Sequence, residues 1–69
     1  MGRAEGWRLS DHDEWALWHD GRQVALVHRL ASDPPRCWRV EAPLGREVAQ
    51  EATIDDAWAR AERAAGVAR

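Results

Sequence analysis

The side chains able to do chemistry are few and scattered. Asp11, His12, Asp13 and Glu14 are consecutive, and binding of a hard cation is the chemistry their types suggest. Neighbours in a strand or turn diverge, however, and no second His or Cys cluster completes a coordination shell. A solvated acidic turn accounts for the run, so no metal is expected. Cys37 could pair with His12, His19 or His28 as thiol and imidazole. An activated thiol needs a helix N-terminus, a nearby cation or an oriented base, and none stands at a recognisable spacing. His28 reads as a structural side chain at the sheet margin. Asp55 and Asp56 open a helix, where carboxylates complement the helix dipole. Gly21 and Gly45 are isolated turn glycines, without a phosphate loop or dinucleotide fingerprint around them. The expectation is a chain that is not an enzyme and takes no cofactor.

What remains is surface, and a hairpin must position it. Asp20-Gly21 between two apolar runs signals a two-residue type I′ turn, because Gly accepts positive φ freely and Asp tolerates it. That turn sets His19 opposite Arg22, Trp18 opposite Gln23, Leu17 opposite Val24, Ala16 opposite Ala25 and Trp15 opposite Leu26. Side chains alternate along a strand. Trp15, Leu17, Val24 and Leu26 then face the core, with His28 in the same register. Ala16, Trp18, Gln23, Ala25, Val27 and Arg29 face the other way.

The remaining elements follow from the same reasoning. Residues 1–6 read as a loose arm. Residues 7–10 form a strand with Trp7 and Leu9 inward. Residues 30–35 are a loop, since Pro34 and Pro35 lack ladder donors. Residues 36–42 form a strand with Trp38 and Val40 on one face and Cys37, Arg39 and Glu41 on the other. After a turn at Pro43-Leu44-Gly45, residues 46–49 add a brief edge strand with Val48 inward. Thr53 caps a helix in a capping-box pattern with Asp56. Ile54, Ala57, Trp58, Ala61 and Ala64/Ala65 make its apolar stripe, and Glu62 lies with the polar residues opposite. Gly66 is the natural stop. The fold class is α+β: a three- to four-stranded antiparallel meander over residues 7–49, with one C-terminal helix, 53–66, packed on one face. The chain reads as one domain, 1–69.

Composition bounds the partners. The chain has 69 residues, a formal net charge of −2, 45% hydrophobic and 32% charged residues, a globular balance rather than a disordered one. All ten cationic residues are Arg, which suits planar stacking and bidentate contacts. The acidic balance argues against a generic nucleic-acid binder. A single Cys and no apolar run of membrane-spanning length lead to the expectation of a cytoplasmic protein without membrane contact.

The sheet face away from the helix is the candidate site. Alternation places Arg8, Ser10, Ala16, Trp18, Ala25, Val27, Arg29, Cys37, Arg39 and Glu41 on it. A large Trp among Arg residues is an interface or stacking composition. The binding residues expected are Trp18, Arg8, Arg29 and Arg39, with Asp11, Asp13, Glu14 and Asp20 as an acidic surface at the hairpin ends. The plainer account is that Trp18 packs on Arg stems of a solvated sheet.

The stretches Glu14–Arg22 and Ala52–Ala61 give an order of hairpin, strand and helix. It resembles the arm-type N-terminal domains of tyrosine integrases and the plant AP2-type domains. That resemblance implies DNA binding through the open sheet, with Trp18, Arg29 and Arg39 as contacts. Pro43, Gly45 and Thr53-Ile54-Asp55-Asp56-Ala57 are similar to HicB-type antitoxin domains. In size and character the chain also resembles phage-encoded inhibitors of the anti-CRISPR type. The leading expectation is a protein-binding module, an inhibitor or adaptor whose partner handles nucleic acid. DNA binding through the Arg/Trp face is the alternative, and a homodimer through the same face or a free edge is a further one.

Overall fold

The computed structural model describes residues 5–30 and 37–67. Five strands form one antiparallel sheet in chain order: β1 (Trp7–Asp11), β2 (Glu14–His19), β3 (Arg22–Arg29), β4 (Trp38–Glu41) and β5 (Glu47–Glu51). One helix, α1 (Ile54–Ala65), crosses β3, β4 and β5 on one face. The α+β meander expected from the sequence is present, with five strands where three or four were expected. The fifth is a full ladder partner of β4 and runs on to Glu51. Most of the loop expected at 30–35, and the loose arm except Glu5 and Gly6, lie outside the described residues.

The Asp20-Gly21 turn is as expected. Both residues have positive φ, 53° and 78°, and His19 pairs with Arg22 and Trp18 with Gln23. One step further the ladder shifts. Leu17 pairs with Ala25, so Val24 is an extra residue on β3, a β-bulge. Every later side chain of β3 therefore lies on the face opposite to the expected one. Ala25 and Val27 are fully buried under the helix. Leu26 and His28 move to the open face, where they pair with Ala16 and Glu14. Val24 still packs against the core, on the helix side that alternation from Gln23 gives it.

Two more bulges correct two more expectations. Ser10 is the extra residue of β1, and Val48 that of β5. Ala49, not Val48, stands opposite Val40 and packs inward, while Val48 is exposed. Leu9 is 62% exposed despite its core-facing parity: the helix packs mainly on β3 to β5 and meets β1 at Trp7.

The core joins Leu17, Val27 and Val40 to Ala57 and Ala61 of α1. Those two small side chains let helix and sheet approach closely. Trp58 is the large wedge, edge-on to Trp15 at 5.6 Å and tilted against Trp7 at 6.2 Å. Glu62 follows Trp58 by one turn and so lies on the same stripe, not on the polar side. It is 3% exposed and accepts a 2.8 Å hydrogen bond from Trp7 Nε1. Thr53 caps α1, its hydroxyl accepting from Asp56 N at 3.1 Å. Gly66, with φ 74°, ends it, and the Val67 amide donates back to the Glu62 carbonyl, the Schellman arrangement.

Candidate functional site

The face of the sheet away from α1 is built from alternate residues of all five strands. Register rows run Arg8–Ala16–Leu26–Glu41–Glu47 and, beside them, Glu14–His28–Arg39–Gln50. Trp18 lies at the hairpin end of this face, next to Gln23. The Arg8 guanidinium sits over its ring, 5.5 Å from the centroid. Trp18 is half-buried, and Ala16 beside it is fully covered. The Trp therefore both shields the sheet and offers a surface.

The three arginines expected to act together are separated. Arg8 is exposed and stacked on Trp18. Arg39 lies on the open face, but its Nε is 3.1 Å from Glu47 Oε1 and 3.5 Å from Glu41 Oε2. Arg29 is not on this face. The bulge at Val24 sends it to the helix side, where it pairs with Trp38 and lies 5.7 Å over that ring. A three-arginine patch therefore does not form.

The acidic residues divide as well. Asp11 and Asp13 border the turn between β1 and β2, and Asp20 is in the turn at the other end of β2. About seven residues of extended chain, roughly 23 Å, separate Asp13 from Asp20. Asp11 accepts a 2.7 Å hydrogen bond from the His12 amide. Asp13, at φ 53°, faces His12 at 3.4 Å, and Asp20 faces His19 at 3.5 Å. Of the four, Glu14 and its ladder partner Asp11 lie on the open face by register, Asp11 at its edge. Glu14 accepts from Ser10 Oγ at 2.9 Å and lies 3.7 Å from His28 Nδ1.

Glu41 and Glu47 are the members of this face that sequence reading missed as functional residues. Glu41 was visible by alternation with Arg39. Glu47 was also outward by alternation from Val48, and the bulge at Val48 leaves it on that side, opposite Glu41. With them the face holds, among the described residues, the carboxylates of Glu14, Glu41 and Glu47, with Asp11 at its edge, against the guanidinium groups of Arg8 and Arg39. Acidic turns flank it at both ends.

Cys37 is a free, buried thiol. Among the described residues no group of three or more His, Cys, Asp and Glu side chains is placed to hold a metal ion. No helix among them is long and apolar enough to cross a membrane. No family model matches the chain, and no curated protein or solved structure matches it. The functional reading therefore rests on the geometry of the face.

Proposed function

We propose that the chain is a small non-catalytic protein-binding module, an inhibitor or adaptor, whose sheet face takes a cationic surface of its partner. The observation that carries this reading is the charge of the open face. Its one partly buried cation, Arg39, is already held between Glu41 and Glu47, and the third expected arginine lies on the other side. A phosphate backbone is recognised by several free cations at once. Here, among the described residues, Arg8 is the guanidinium on the face without a carboxylate within ion-pair distance, and it is stacked on Trp18. A partner's Lys or Arg side chains would meet carboxylates, and its apolar atoms would meet Trp18 and Leu26. Central aromatic anchors with a charged surround are the usual composition of such contacts.

The test is a pair of anisotropy titrations at about 20 mM and about 150 mM salt. One uses labelled duplex DNA and the other labelled oligo-arginine as a stand-in for a basic protein surface. The expected outcome is binding of the arginine peptide, weakened by salt and dependent on Trp18, and no duplex binding that depends on Trp18. Trp18→Ala lowers the peptide affinity and costs about 2–3 kcal/mol of stability, since it removes a half-buried ring and one cation–π contact. Duplex binding at low salt that Trp18→Ala abolishes overturns the proposal.

A further inference from the structure

A second surface, on the helix side, has the opposite character. The tip of the β2–β3 hairpin, the β4–β5 turn and the end of α1 enclose an open groove of about 480 Å³. Val24, Pro43, Leu44, Ala64 and Ala65 supply its apolar wall, and Arg22 stands on it. Val24, the bulge residue of β3, lies on the helix side that alternation from Gln23 gives it. Leu44 is 47% exposed, and so is open to a ligand.

Arg22 is the charged side chain among the residues that line the groove, and Asp20, beside it in the hairpin turn, faces His19. Arg46 follows Leu44-Gly45 in the turn, and Arg63 precedes Ala64 in the last helical turn. Among the described residues, Arg22, Arg46 and Arg63 have no carboxylate within ion-pair distance, unlike Arg39 and Arg60. The neighbouring acids are occupied. Glu41 accepts from the Gly45 amide at 2.9 Å with one oxygen and faces Arg39 with the other. Glu62 is buried against Trp7. The last helical carbonyls at this end, of Glu62 and Arg63, already accept from Val67 and Gly66. An anionic group at the groove therefore meets free guanidinium groups rather than acceptors.

We propose that this groove is a second binding site and that it takes a peptide segment alternating apolar and acidic side chains. The apolar side chain packs on Val24, Leu44 and Ala65, and an adjacent carboxylate pairs with Arg22. Charge complementarity selects this occupant, because Arg is the residue suited to bidentate carboxylate contacts. The size of the groove suits one or two side chains. It is independent of the sheet face, which lies on the other side of the sheet and prefers cations.

The probe is a short capped peptide alternating leucine and glutamate, with a counterpart carrying lysine for glutamate. Binding is followed by amide chemical shifts of the full chain. Shifts on adding the acidic peptide should centre on Val24, Leu44, Ala64 and Ala65. Arg22→Glu and Leu44→Asp, both at exposed positions, should each weaken it by about fivefold or more. The lysine counterpart should leave the groove unshifted. The proposal is overturned if the acidic peptide does not shift the groove, if the lysine counterpart shifts it equally, or if both variants lose less than about fivefold.

Discussion

Two residues show how much a single position can decide. Gly6 has φ 103°, and a Cβ placed there would lie 2.2 Å from the Trp18 carbonyl oxygen. The two backbones are joined at this point, Trp18 N donating to Gly6 O at 2.9 Å. Gly45 has a similar φ, 86°, but open space around it. Gly45→Ala should cost about 1 kcal/mol, the penalty of positive φ alone. Gly6→Ala adds a backbone clash and should cost at least about 2 kcal/mol by thermal or urea unfolding; equal losses at the two sites would contradict the close approach. Glu62 is the second case. Its hydrogen bond with Trp7 ties the last turns of the helix to β1, residues far apart in sequence. Glu62→Ala leaves the indole N–H without that acceptor and should cost about 1–3 kcal/mol, read from the unfolding midpoint. A loss within a few tenths of a kcal/mol, as for a surface glutamate, would contradict its placement. Neither residue announced itself in the sequence. Gly6 looked like part of an arm, and Glu62 sits between Ala61 and Arg63 where a polar face was expected.

At the scale of elements, what was legible was what local chemistry specifies. Asp20-Gly21 set the turn, Thr53 and Gly66 set the helix ends, and the Ala stripe chose the helix face. Trp7, Trp15, Leu17, Trp38 and Trp58 were all assigned to the right side. The bulges were not legible, because an extra residue in a ladder has no signature in side-chain type here. Val24, Ala25 and Leu26 are all acceptable on either face, and only long-range packing under α1 selects Ala25 and Val27. That one residue cost the placement of Leu26, His28 and Arg29, and with Arg29 the arginine patch. The bulge makes an unusual prediction about deletion. Removing Val24 leaves Gln23 followed directly by Ala25, and plain alternation then preserves the pairing of Trp18 with Gln23 and Leu17 with Ala25. The deletion variant should fold cooperatively, losing about 1 kcal/mol for the half-buried valine, with the Val27 amide still protected from exchange. Loss of cooperative unfolding would show that β3 does not follow this ladder.

At the scale of the whole molecule, the chain divides its charges by side. Glu14, Glu41 and Glu47 collect on the open sheet face, while Arg22, Arg46 and Arg63 stand at one end of the helix side. A net charge of −2 conceals that division, since it averages over both surfaces. The same division explains why the sequence favoured two functions at once. Arginines counted along the chain suggest a nucleic-acid surface; Arg8, Arg29 and Arg39, placed in space, do not share a face. Trp18 was placed on the open face from the sequence because it lies before the bulge, where turn-based register still holds. The most direct measurement is an amide chemical-shift map of the full chain with oligo-arginine. Binding at the proposed face should shift Ala16, Trp18, Leu26, His28 and Gln50 together, and leave Ala25, Val27 and Ala57 unmoved. Shifts confined to the Asp11–Asp13 and Asp20 turns, or centred on Ala25 and Val27, would contradict the sheet face as the site.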